Sequence, residues 1–184
     1  AYVKADIGLF LDGGMGPGKP IPFPTITVCN YVGCNVYVKW FEHLAEVTQS
    51  ELFMLDVPFA RTAEPSPADV QYVVAQLREL IALCERVSGR KFDIDELREI
   101  LGHAARAEDG YARAKELCKR HPAPFDAYFD AINMMGPINV LRGTREAAEF
   151  FDVAVAEFEG LVAQGLGPLS EERFRTVVEG PPPY

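Results

Sequence analysis

Cations are scarce in this 184-residue chain: Lys and Arg number 18 against 27 Asp and Glu, for a formal charge of −9. A general nucleic-acid surface needs a basic footprint, so that function class is excluded. An anionic ligand would need a local site built from helix N-termini or a few Lys and Arg. Long hydrophobic runs are missing too. No stretch approaches the roughly 20 apolar residues that span a bilayer, and the opening residues show neither a basic n-region nor a small-residue cleavage site. Cysteine is sparse, four in all, too few for a disulfide scaffold. With no secretory pattern the expected location is the cytoplasm, where thiols are reduced or bound to metal. The three histidines, His43, His103 and His121, are scattered and offer zinc no clustered partners.

What is there is an apolar half, 48% of residues spread throughout, enough for one good core or one and a half domains. Residues 1–24 join a short apolar run, "IGLFLD", to a Gly/Pro segment, "GGMGPGKPIPFP". Gly13, Gly18 and Lys19 match the start of a G-x-x-x-x-G-K phosphate loop, but Pro20 stands where a Ser or Thr hydroxyl should bind magnesium. "PIPFP" cannot open the helix that would face the phosphate. The segment therefore reads as an irregular loop without ATP chemistry.

"TITVC" is a short β-branched run ending at Cys29. After "NYVG", residues 35–48 are helical by period, with Lys39, Glu42, His43 and Glu46 on a polar face. Val36, Trp40, Leu44 and Val47 line the other face, backed by Tyr37 and Phe41. "LFMLDVPF", closed by Pro58, has the length of a strand. Strand, helix and strand in about 30 residues form a βαβ unit with parallel strands. Helices follow: from Ser66, an N-cap before Pro67 and Asp69, to about Val87 and Gly89; from Asp93 and Glu96 to about Arg120; over roughly 124–135; and from Thr144 to Gly165. "ERFRTVVEGPPP" returns to strand and turn.

The fold class is therefore α/β, parallel-sheet βαβ elements with a large helical segment. Residues 1–65 read as the end of a first α/β domain, 66–170 as helical, and 171–184 as the first strand of a second α/β domain. The chain reads as a piece of a longer polypeptide, incomplete at both ends.

Cys29 and Cys34 raise the chemical question: a disulfide, two core thiols, or metal ligands. The predicted unit places Cys29 at the carboxyl end of a strand and Cys34 at the N-terminus of the next helix. Asp56 to Phe59 would end the neighbouring strand at the same edge, the usual place for ligands in open parallel sheets. A helix N-terminus favours thiolate over thiol, and thiolate is the form that binds metals and clusters. Cys34 is thus the better-placed ligand, and Cys29 reads as core. C-x-x-x-x-C alone is a weak signal, since intact clusters need more thiolates than this chain offers. Cys84 and Cys118 lie inside helical patterns and read as small apolar core residues.

"VCNYVGCNVYVKWFEHLAEV" followed by "FMLDVPF" resembles the cluster-binding segment of the 2-hydroxyacyl-CoA dehydratase and ATP-dependent benzoyl-CoA reductase family. The pattern is carried by Cys34, Asn35, Lys39, Trp40 and Asp56 to Pro58. "AYVKADIGL" is similar to residues that follow another family cysteine, and "RFRTVVEGPPPY" to the opening of the family's second α/β domain. With Asn35 and "KWFEHLA" the likeness leans to the reductase branch, closest to a B-type subunit.

The resemblance implies a 4Fe–4S cluster held by three cysteines, of which Cys34 matches the middle one; Cys29 matches none. It implies a CoA thioester substrate, a sister cluster-binding subunit, ATP-hydrolysing activator subunits and a ferredoxin. In the reductase branch low-potential electrons dearomatise an aryl-CoA. In the dehydratase branch an electron goes to a 2-hydroxyacyl-CoA, and water leaves through a ketyl radical. A third reading is a non-catalytic structural or assembly subunit. Asn30 and Tyr31, expected in the turn between the cysteines, are candidate substrate contacts. Catalytic residues are not assigned, and an isolated piece of such a subunit is expected to be inactive.

Overall fold

A computed structural model describes residues 2–14, 20–31, 34–59 and 62–176. The chain divides into two compact units, Ala1–Phe92 and Asp93–Tyr184. The fold class is α/β, as the sequence predicts.

The first unit opens with α1 (Tyr2–Leu11), a helix where the sequence suggests only an apolar run. The chain reverses at Gly13 and Gly14, both at positive φ (75° and 76°). At Gly14 a Cβ would meet the Ile21 carbonyl oxygen at 2.6 Å, so only glycine fits the turn that Ile21 closes by donating to the Gly14 carbonyl. Gly18 and Lys19 of the tested phosphate loop lie outside the described residues.

The βαβ unit follows as β1 (Ile26–Tyr31), α2 (Asn35–Thr48) and β2 (Glu51–Asp56). The two strands are parallel and in register from Ile26 opposite Glu51 to Tyr31 opposite Asp56. Gln49, at φ 55° and ψ 31°, ends α2 in the left-handed region and turns the chain directly into β2. A small polar network sits beneath the helix. Thr48 donates to the Leu44 carbonyl (2.8 Å) and to Ser50 Oγ (3.0 Å), and Ser50 in turn bonds Thr27. Thr27 and Thr48 are buried, and this network satisfies their hydroxyls.

Two expectations change here. The strand predicted to end at Cys29 runs on to Tyr31, because the parallel pairing continues to Asp56; Cys29 is mid-strand, opposite Met54. Asn30 and Tyr31 are therefore strand residues and not turn residues. The apolar face of α2 is also only partly used: Val36 and Tyr37 are 60% and 50% exposed, while Ala45 and Thr48 are buried. The side chains that α2 buries, Ala45 and Thr48, are small and lie near its C-terminal end, while those of its first three residues are exposed. Trp40 bridges back to α1, its Nε1 donating to Asp6 Oδ2 at 2.9 Å.

The last element of this unit is α3 (Pro67–Ser88), opened by the expected capping box between Ser66 and Asp69 and closed by Gly89 at φ 70°. It joins β2 at both ends. Arg86 makes a two-pronged pair with the Glu51 carboxylate (2.8 and 2.6 Å). The Gln76 carboxamide accepts from the Asp56 amide and donates to the Asp56 carbonyl, both at 2.8 Å. Gln76 thus supplies hydrogen bonds that a further strand would otherwise make.

In the second unit, Asp93 caps α4 (Ile94–Leu117) by accepting from the Asp95 and Glu96 amides. Thr144 caps α6 (Arg145–Gln164), which Gly165 ends at φ 65°. These two helices pack along each other around Ala107, Ala114, Met134, Ala147, Phe151 and Phe158. Gly110 permits the close approach, since a Cβ there would sit 2.7 Å from Phe151 Cβ. Between them, α5 (Ala127–Phe129) widens into two π-helical stretches, Asp130–Met134 and Gly136–Val140. Pro137 has no N–H to continue an α-helical ladder, and Leu141 N–H reaches back five residues to the Gly136 carbonyl. The sequence predicts a single helix over 124–135. Residues 172–176 carry no regular secondary structure, and the rest of the strand predicted over 171–184 lies outside the described residues.

Candidate functional site at the carboxyl edge

The parallel register brings the carboxyl ends of β1 and β2 to one edge, and α2 begins there. Cys34 is the N-cap residue of α2, with extended backbone (φ −137°, ψ 114°), and its carbonyl accepts from the Tyr37 amide at 3.1 Å. Its side chain makes no capping hydrogen bond, and it is a free, exposed cysteine. Cys29 is also free but lies in different surroundings. It is 5% exposed, burial pushes its thiol pKa up, and its Sγ donates weakly to the Asn30 carbonyl at 3.5 Å. A buried thiol held in that form is a poor metal ligand. Strand and helix thus separate two cysteines that are close in sequence.

Side chains alternate along β1, so Asn30 is exposed on the face opposite buried Thr27 and Cys29. Tyr31 lies opposite Asp56 at the very edge. Lys39 pairs with Glu42 one turn on (2.6 Å) and is 73% exposed, which makes it a solvated surface residue. The histidines stay apart: His43 lies near Glu46, His103 near Glu99 and His121 near Glu172. Cys118 is half-buried and its pKa is raised, chiefly by burial. Cys84, expected in a core, is exposed, because α3 buries none of its residues in this chain.

Sequence reasoning missed the contribution of α3 to this edge. Tyr72 Oη donates to Asp56 Oδ2 at 2.8 Å, and Gln76 pairs with the Asp56 backbone. No periodicity or spacing connects positions this far apart. Among the described residues no group of three His, Cys, Asp or Glu is arranged to hold a metal ion. What the edge offers a cluster is one accessible thiol, Cys34, at a helix start. That donor fits a thiolate-ligated centre as a single member of its ligand set.

Residues 1–184, the entire chain, match the family model described as 2-hydroxyglutaryl-CoA dehydratase, D-component. The chain belongs to this family. Its relatives within it include the B-type subunit of benzoyl-CoA reductase from Thauera aromatica, 40% identical over 98% of this chain and 44% of the relative. The (R)-phenyllactyl-CoA dehydratase alpha subunit of Clostridium sporogenes is 29% identical over 97% of the chain and 44% of the relative. The alpha subunit of (R)-2-hydroxyglutaryl-CoA dehydratase from Acidaminococcus fermentans is 32% identical over 88% and 34%. The chain spans less than half the length of these dehydratase-family relatives. No helix among the described residues is long and apolar enough to cross a membrane.

Proposed function

We propose that this chain is part of a benzoyl-CoA reductase-like subunit that delivers low-potential electrons to an aryl-CoA thioester. The observation that carries the reading is Cys34, an exposed, uncapped thiol at the carboxyl edge of a parallel βαβ unit, in a chain of this family. The reductase branch is favoured by 40% identity to a reductase subunit against 29% and 32% to the two dehydratase subunits.

Cys34 would hold one iron of a 4Fe–4S cluster, with the remaining ligands supplied from outside this chain. When bound, that cluster would supply the low-potential electrons that reduction of the aromatic ring of the aryl-CoA needs. The chain's own residues place the ligand at the sheet edge, where Asn30 and Tyr31 flank the substrate. Cys29 stays in the core and takes no part. ATP hydrolysis is assigned to separate activator subunits served by a ferredoxin, and substrate binding is shared with a sister cluster-binding subunit, all in the cytoplasm. The piece spanning residues 1–184 alone is inactive in this reading.

A 2-hydroxyacyl-CoA dehydratase subunit is the second reading, favoured by the family description and by the dehydratase alpha subunits among the relatives. The full-length subunit, prepared without oxygen and combined with its partners, activator and ATP, decides between the two. A dearomatised product from benzoyl-CoA supports the reductase; an enoyl-CoA from a 2-hydroxyacyl-CoA supports the dehydratase. A subunit with no iron and no cluster absorbance would sink both and leave a structural subunit.

A further inference from the structure

Asp56 is held more firmly than a surface carboxylate requires. Its amide and carbonyl are both taken by the Gln76 carboxamide at 2.8 Å, and its Oδ2 accepts from Tyr72 Oη at 2.8 Å. Three hydrogen bonds from one face of α3 fix both the backbone and the orientation of an exposed side chain. The bond to Asp56, with that residue's charge, raises the Tyr72 pKa, so the tyrosine stays a donor. Oδ1 has no partner among the described residues. The residue sits opposite Tyr31 at the edge where α2 begins with Cys34.

We propose that Asp56, oriented by Tyr72 and Gln76, binds the pantetheine arm of a CoA thioester through a hydrogen bond from an amide N–H or hydroxyl to Oδ1. The inference rests on the reading of the site as one for CoA thioesters and adds to it a specific contact. The chemistry selects the arm. A carboxylate repels the phosphates at the nucleotide end, and an aryl acyl group carries no donor. The pantetheine amides and hydroxyl are the uncharged donors nearest the thioester, which must itself lie close to the Cys34 end of the site. Tyr72 and Gln76 are positioning residues: they touch Asp56 and not the ligand.

The test uses the full-length subunit in its complex, with benzoyl-CoA and S-ethyl thiobenzoate, which keeps the thioester and lacks the arm. The readout is the ratio of kcat/KM for the two substrates at matched iron content. Asp56→Ala should lower that ratio about tenfold or more, through KM for benzoyl-CoA, as expected for a charge-assisted hydrogen bond. Tyr72→Phe should shift it in the same direction by less, because the carboxylate remains but loses its orientation. A ratio unchanged in Asp56→Ala, or a loss that is equal for both substrates, overturns the contact and leaves Asp56 a purely structural tie. If the wild-type complex turns over no CoA thioester while its subunits carry iron, the proposed function fails, and the contact fails with it.

Discussion

Serine in place of each of the two neighbouring cysteines should separate stability from metal binding in opposite senses. At Cys34 the backbone already has N-cap geometry, but the thiol makes no capping bond. A serine hydroxyl there can accept from an amide of the first turn of α2, a capping contribution of about 1 kcal/mol. The exposed site imposes no packing loss to offset it. Cys34→Ser should therefore raise the stability of the metal-free chain by up to about 1 kcal/mol. Cys29 is 5% exposed, and its Sγ donates to the Asn30 carbonyl at 3.5 Å. Burying a hydroxyl there costs about 1–3 kcal/mol, toward the lower end if it donates to that carbonyl. Urea unfolding of the metal-free chain measures both values. Iron content of the intact subunit, reconstituted without oxygen, gives the second axis. Cys34→Ser should be the more stable variant and lose the cluster, while Cys29→Ser should be the less stable and keep it. A destabilised Cys34→Ser would refute the capping geometry; full iron in Cys34→Ser with loss in Cys29→Ser would refute the ligand assignment.

Gly102 and Gly110 are both interior residues of α4, and Ala would gain about 1 kcal/mol of helix propensity at either. Nothing lies within 4 Å of a Cβ at Gly102, so Gly102→Ala should stabilise by that amount in a thermal or urea melt. At Gly110 the Cβ meets Phe151 Cβ at 2.7 Å on a fully buried side chain, and overpacking of about 1–3 kcal/mol should cancel or reverse the gain; equal stabilisation of both variants would disprove the close approach of α4 and α6. Glu172 holds the segment after α6 by accepting from Arg175 and from the Ala123 amide (2.7 Å), and these bonds, Arg175 first, lower its pKa from the ordinary 4.5. Its folded value is depressed, so its stabilisation is fully present above the unfolded value and is lost as pH falls through the folded one. Urea midpoints taken between about pH 6 and about pH 2.5 should fall with acid more steeply in the wild type than in Glu172→Gln, and parallel profiles would count against the anchor.

Elements with strong local signals were legible in the residues alone. The Ser66–Asp69 box, the Asp93 cap and the Thr144–Gly165 pair mark three helices to within a few residues, because capping is chemistry between near neighbours. α1 carries no such signal: "YVKADIGLFL" has no acidic first turn, no basic last turn and an internal Gly8. The π-helical turns around Pro137 and the exposure of Cys84 were equally invisible. The first depends on how a broken ladder is re-satisfied, and the second on what α3 finds to pack against. Of the candidate site, the position of Cys34 at a helix start was readable from period and turn. The reach of Tyr72 and Gln76 to Asp56 was not.

The sequence by itself determined an acidic α/β chain, a parallel βαβ unit, and a cysteine at the start of its helix. Those properties follow from composition, from periods of two and 3.6 residues, and from interactions spanning four residues or fewer. Only the tertiary structure decided that β1 runs on to Tyr31 with Cys29 in mid-strand, and that α3 fixes Asp56 opposite Tyr31. It also decided that one glycine of α4 is required while another is not. Burial and hydrogen bonds between distant residues depend on which surfaces meet once the strands pair and the helices pack, and no local pattern encodes that meeting.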